Sequence, residues 1–143
     1  MRKMKWMTNP EELQKGPKIQ NRKNANRSVL VVDGEPEIAE LVEMVMVSRG
    51  FRSDLLNNGD AALDTLRHQD YDLLICDYHM PGTDGHDLLQ WIRSNHKDTR
   101  VLVLSGDIIR PETRGLVEMG GGSFLAKPFS LSALSDAVDQ VMS

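Results

Sequence analysis

Four polar side chains close four apolar runs, and together they form a set suited to holding a phosphate or a hard metal ion. Asp33 follows Val29-Leu30-Val31-Val32, Asp77 follows Leu73-Leu74-Ile75-Cys76, Ser105 follows Val101-Leu102-Val103-Leu104, and Lys127 follows Phe124-Leu125-Ala126. Two carboxylates offer anionic oxygens to a divalent cation, an ammonium pairs with phosphate oxygens, and a hydroxyl donates a hydrogen bond. Open α/β sheets carry their chemistry in the crevice beyond the carboxyl ends of the strands, so parallel strands here bring all four groups to one pocket. Asp77 is the most informative of them, because the turn Met80-Pro81-Gly82 comes directly after it. Taken singly, each residue has an ordinary alternative: Asp33 and Ser105 as helix caps, Asp77 as a turn aspartate, Lys127 as a surface lysine. Their joint position at four run ends is what argues for a site.

Elements able to position these groups follow from the hydrophobic pattern. The runs at 29–32, 73–76 and 101–104 lack period-2 alternation, as strands covered on both faces do. Helical patterns separate them. Ile38, Leu41, Val42, Val45 and Met46 recur at the i, i+3, i+4, i+7, i+8 spacing of a buried stripe, behind a first-turn proline, Pro36. Leu131, Leu134, Val138 and Val141 form a second stripe, and Ala62, Leu63, Leu66 and Leu88, Leu89, Ile92 form shorter ones. Pro111 can open a helix over 111–119 that Gly120-Gly121-Gly122 must end. Short strands near 51–55 and 123–126 complete a strict alternation of strand and helix, which predicts a doubly wound α/β sheet.

A chain of 143 residues, 40% apolar, has room for one core and not for two ordinary domains. Residues 1–27 carry eight of the 17 Lys/Arg and two of the 21 acids, so a +6 arm precedes a −10 body over 28–143. An acidic body argues against nucleic acid binding by the folded part, which needs clustered Lys/Arg, and leaves the arm open to nucleic acid, membrane or the protein's own acidic surface. Within the arm, Thr8-Asn9-Pro10-Glu11-Glu12 has the form of a helix start and Gly16-Pro17 of its end, while 17–27 has linker composition. Composition otherwise favours a flexible tail, unless Trp6, Met7 and Leu13 bury a stripe on the body or on a second subunit. No apolar stretch reaches the roughly 18 residues of a membrane span, and no apolar segment follows the basic N-terminus, so a cytoplasmic protein without a membrane partner is expected. Cys76, the single cysteine, lies in a strand run and is expected to pack inertly.

Over residues 28–143 the sequence resembles the receiver domain of two-component response regulators. The resemblance is carried by Val31-Val32-Asp33 with Glu35-Pro36-Glu37, by Asp77-Tyr78-His79-Met80-Pro81-Gly82, by Leu104-Ser105-Gly106 and by Lys127-Pro128-Phe129. It implies a (βα)5 fold with the flavodoxin-like strand order 2-1-3-4-5. It also implies that Asp77 takes a phosphoryl group from a sensor histidine kinase or a phosphotransfer protein. Asp33 and Asp77, with the backbone carbonyl of His79, would hold Mg2+; Lys127 would pair with the phosphoryl oxygens, and Ser105 would donate to them. Phe124 matches the aromatic switch position, although an aromatic in such a strand is as often plain core. The Lys127-Pro128 bond is a cis candidate. One departure stands out: the usual second acid after the first strand is Gly34 here, which should weaken Mg2+ binding unless Glu35 or water fills the place.

Other classes fit less well. A receiver without efficient phosphotransfer, acting purely as a protein-interaction module, is the main alternative. A phosphatase of the haloacid dehalogenase type is excluded, because Val31 stands where its nucleophilic aspartate belongs. There is no Walker A loop and no Gly-x-Gly-x-x-Gly run after a strand. His68, His79, His86 and His96 lie on different elements and do not suggest a transition-metal site. No DNA-binding domain is expected after the last helix, so output should pass to a downstream protein through the surface from the Pro111 helix to the Leu131 helix. A homodimer is a further expectation.

Overall fold

The computed structural model describes residues 27–143 other than Pro81 and Lys97. Strands β1 (Ser28–Val32), β2 (Arg52–Leu56), β3 (Leu73–Asp77), β4 (Arg100–Ser105) and β5 (Ser123–Ala126) alternate with helices α1 (Pro36–Ser48), α2 (Gly59–His68), α3 (Gly85–Asn95), α4 (Pro111–Met119) and α5 (Leu131–Met142). The strands form one parallel sheet in the order β2-β1-β3-β4-β5, as the resemblance implied. The arm's expected helix and its stripe of Trp6, Met7 and Leu13 lie outside the described residues.

Both faces of the sheet are covered, and this is why the strand runs show no alternation. Leu30, Val32, Leu74, Cys76, Val101 and Val103 face a layer built by α2, α3 and α4, with Leu66, Leu88, Leu89, Ile92 and Val117 packed on them. Val29, Val31, Leu73, Ile75, Leu102 and Leu104 face α1 and α5 through Val42, Met46, Leu134, Val138 and Val141. Successive side chains along one strand thus enter opposite cores. Cys76 is fully buried, and burial pushes its thiol up to about 12, as inert packing requires.

Local signals set the helix starts. Pro36 and Pro111 occupy first-turn positions, where a missing N–H forfeits no helical hydrogen bond. Asn58, Asp84 and Ser130 cap α2, α3 and α5 by accepting from the amides of Ala61, Asp87 and Ala133. Two expectations shift. β2 runs one residue later than the pattern placed it, and its side chains are only partly buried because it is a sheet edge. Leu131, expected in the buried stripe of α5, is half exposed, since it is the first helical residue and the buried face begins at Leu134. Among the described residues no helix is long and apolar enough to cross a membrane.

Candidate functional site

Register brings the strand ends to one place. Val32 lies opposite Cys76, Asp77 opposite Leu104, and Ser105 opposite Ala126. Each of the residues that follow is held by the ladder as it frays. The Asp33 amide donates to the Leu56 carbonyl (3.1 Å), the Tyr78 amide to the Leu104 carbonyl (2.8 Å) and the Lys127 amide to the Ser105 carbonyl (2.9 Å). The Lys127-Pro128 peptide is cis.

Three of the four predicted side chains meet directly. Lys127 Nζ lies 3.0 Å from Asp33 Oδ2 and 3.3 Å from Asp77 Oδ2, and Glu35 joins them at 2.8 Å through Oε1. Asp33 is fully buried. Its Oδ1 accepts from the Glu35 amide at 2.9 Å, while Oδ2 is buried without a well-directed hydrogen bond, its contact with Lys127 being that of an ion pair. Burial, and then the negative charge of Asp33, raise the pKa of Asp77 above the ordinary carboxylate value against the opposing pull of Lys127. For Lys127, burial acts to lower the pKa, but the hydrogen bond to Glu35 and the close pairing with Asp33 and Asp77 outweigh it and hold the ammonium protonated well beyond the usual range.

Around these groups is an open cavity of about 400 Å3 lined by Gly34, Glu35, Asp77, His79, Gly106, Asp107 and Lys127. Carboxylate oxygens of Asp33, Glu35 and Asp77 lie within 4.8 Å of one another. Three convergent anionic oxygens, one of them buried and poorly satisfied, are a donor set suited to a hard divalent cation that keeps several waters. Glu35, next to Gly34, thus supplies the third carboxylate of the cluster. Gly34 is not among the described glycines with positive φ, so its backbone is one that other residues adopt.

Ser105 stands beside this cluster but is engaged elsewhere. Its Oγ donates to the Asp107 carbonyl (2.9 Å) and accepts from the Asp107 amide (3.0 Å), closing a tight turn. His79 sits on the rim, where its Nε2 is 3.3 Å from Asp107 Oδ2 and its amide makes a long contact to Asp77 Oδ1 (3.4 Å). Phe124 is not part of the pocket. It packs partly buried against the α2–α3–α4 side of the core with the Arg114 guanidinium 5.0 Å above its ring.

Sequence reasoning missed a polar cluster next to the site. Tyr78 is buried, and its Oη accepts from Arg110 Nε (3.1 Å) and lies 3.3 Å from Thr113 Oγ1, which in turn is 2.7 Å from His86 Nδ1. Burial acts to raise the Tyr78 phenol, but the hydrogen bonds with Thr113 and Arg110 prevail and its pKa falls below the ordinary value. One signal was available: Thr113 and Val117 are four residues apart, so a hydroxyl shares the buried face of α4.

Comparison with known proteins agrees with this geometry. The sequence model of the response regulator receiver domain matches residues 29–139. The transcriptional regulatory protein PcoR of Escherichia coli is 31% identical over 107 residues, 74% of this chain and 47% of its own length. The probable transcriptional regulatory protein TcrX of Mycobacterium tuberculosis is 34% identical over 105 residues, 73% of this chain and 44% of its own length. The chain thus spans about half the length or less of such relatives, whereas it matches 93% of the chemotaxis protein CheY-3 of Vibrio cholerae, at 28% identity and over 82% of this chain. Among solved structures, the receiver domain of the Francisella response regulator 1452 superposes with a TM-score of 0.69 at 29% identity, covering 82% of this chain and 97% of the other. With strand order, strand-end chemistry and sequence in agreement, the chain belongs to the response regulator receiver domain family.

Proposed function

We propose that residues 28–143 act as a phosphoacceptor switch in a two-component phosphorelay, with Asp77 as the acceptor and residues 1–27 as an appended arm. Phosphoryl-transfer signalling is the general function of the family. The observation that carries the proposal is the convergence of Asp77, Asp33 and Lys127 within 3.3 Å contacts at the strand ends. A carboxylate oxygen of Asp77 attacks phosphorus in line as the bond from phosphorus to a donor histidine nitrogen breaks, and the released imidazole takes up a proton from water. The Lys127 ammonium neutralises charge on the transferring oxygens, the main requirement of a loose phosphoryl-transfer transition state. Ser105 Oγ reaches a phosphoryl oxygen only by leaving its turn with Asp107.

Asp33, Asp77, Glu35 and the His79 carbonyl are the oxygens that would hold Mg2+, which when bound supplies further charge neutralisation at the transferring group. The donor is a histidine kinase or a phosphotransfer protein in the cytoplasm, and the product is read by a downstream protein. Exposed Met119 and Leu131, on α4 and α5, suit such a contact. The test is intact mass after incubation with acetyl phosphate and Mg2+: one phosphoryl group on the wild type and none on Asp77→Asn. Added mass on the variant would refute the assignment. Gly34 favours a second reading, a binding module that no longer takes phosphate. A folded wild type that gains no mass and binds no Mg2+ would establish it.

A further inference from the structure

We infer that the Tyr78 hydroxyl is a latch holding the N-terminal end of α4 in its resting place, and that modification of Asp77 must release it. The second half rests on Asp77 being the acceptor. Tyr78 is the next residue after Asp77, so the two Cα atoms are tied about 3.8 Å apart. Its backbone is clamped on both sides: the amide donates to Leu104 of β4, and the carbonyl accepts from the Gly85 amide at the start of α3 (3.1 Å). That approach requires glycine, because a Cβ at residue 85 would lie 2.8 Å from the Tyr78 carbonyl oxygen and 2.9 Å from its Cα. The ring is therefore a rigid arm rooted beside the site.

The far end of that arm meets α4. Tyr78 Oη accepts from Arg110 Nε at the N-cap position and lies beside Thr113 Oγ1 one turn in, and Thr113 is fully buried. Buried hydroxyls keep partners because an unpaired one costs the full desolvation penalty. His86 of α3 completes the knot through Thr113, so three elements share one set of hydrogen bonds. The segment 105–110 is thus fastened twice, by Ser105 Oγ on Asp107 at one end and by Tyr78 Oη on Arg110 at the other. A phosphoryl group that draws Ser105 Oγ out of its turn pulls on a segment whose other end the latch resists. Phe124, in β5, has no hydroxyl with which to make such a contact, and its ring is covered by Arg114. A contact made in the resting arrangement alone opposes whatever favours the other, and by linkage its removal must help the ligand that drives the change.

Tyr78→Phe deletes only the hydroxyl and keeps the packed ring. Tyr71→Phe is the control, since it deletes a hydroxyl bonded to Asp54 (2.5 Å) remote from α4. Two quantities are measured: hydrogen exchange of the amides of 110–119, with 131–142 as internal reference, and the beryllofluoride concentration that half-saturates the protein at fixed Mg2+. Loss of one buried hydrogen bond corresponds to about a five- to tenfold change in an equilibrium. Tyr78→Phe should therefore speed α4 exchange about five- to tenfold and lower the half-saturating concentration by about as much, with neither change in Tyr71→Phe. Values within twofold of the wild type, or equal shifts in the control, overturn the latch. If Tyr78→Phe is not cleanly folded, Thr113→Val removes the opposite hydroxyl and is held to the same outcomes. A wild type that takes no phosphoryl mass refutes the proposed function and the release step together, while unchanged α4 exchange in Tyr78→Phe refutes the latch alone.

Discussion

Replacing Lys127 with methionine removes an ammonium that faces three carboxylates and leaves a side chain of similar reach. The two buried partners lie 3.0 and 3.3 Å from Nζ. At an effective dielectric constant of about 20, each attraction is about 5 kcal/mol. Stripping water from the ions offsets much of this, and loss of one partner from a buried pair nets about 3–5 kcal/mol of destabilisation. Protonation sets a ceiling, because one proton on Asp77 relieves both its unpaired charge and its repulsion with Asp33. Holding that proton on a carboxyl whose ordinary value is 3.8 costs about 1.4 kcal/mol per pH unit above it. The ceiling is then about 4 kcal/mol at pH 7 and about 1.6 kcal/mol at pH 5. The sign follows from the direction of the shift. Asp77 is raised in the folded protein, so its contribution is complete below the unfolded value and is lost as pH rises through the folded one; without Lys127 that window moves to higher pH. Urea unfolding without divalent ions should show Lys127→Met about 3–4 kcal/mol less stable than wild type at pH 7 and about 1–2 kcal/mol at pH 5. An equal loss at both pH values, or less than about 1 kcal/mol at pH 7, would refute the reasoning.

Three further substitutions examine the neighbours. Gly34→Asp adds a hard ligand at a position whose φ is not positive and should tighten Mg2+ by about tenfold, or ~1.4 kcal/mol, in titration calorimetry. Glu35→Gln should weaken Mg2+ in the same measurement; equal affinity in all three proteins would mean that water supplies the place instead. Gly59→Ala, at the start of α2, would put a Cβ 1.7 Å from the Thr83 carbonyl oxygen and should lower stability by at least about 2 kcal/mol, read as a fall in thermal midpoint.

The strand ends were legible in the sequence for a mechanical reason. A strand buried on both faces reads as an unbroken apolar run, and the first polar residue after it has nowhere to go but the rim of the sheet. Asp33, Asp77 and Lys127 could be placed together on that basis, since parallel register fixes where their backbones end. Ser105 shows the limit. Its backbone position follows from β4, but its hydroxyl is turned to Asp107 by the conformation of a loop that no periodicity encodes. The knot of Tyr78, Arg110, Thr113 and His86 was hidden in the same way, because it joins the loop after β3, helix α3 and the start of α4, whose relative placement only the packed fold defines.

Gly34 and Glu35 have to be considered as a pair, and the geometry changes what the substitution means. Read alone, Gly34 subtracts a metal ligand. In the folded protein the adjacent Glu35 brings a carboxylate within 4.8 Å of those of Asp33 and Asp77, so the anionic charge around the pocket is preserved while its tether is moved one residue along. The move has a second effect. Glu35 Oε1 is bonded to Lys127 Nζ at 2.8 Å, so the ammonium needed for phosphoryl oxygens is shared among three carboxylates rather than two. Glu35 is largely exposed, so its pairing with Lys127 is screened by solvent and is the weakest of the three contacts to break. A cation that drew Glu35 toward Asp33 and Asp77 would release Lys127 from one of its three carboxylates and leave it paired with the other two. If Glu35 is a metal ligand, binding of the cation would then loosen one hold on the lysine, and Glu35→Gln should weaken Mg2+ while leaving Lys127 paired with Asp33 and Asp77.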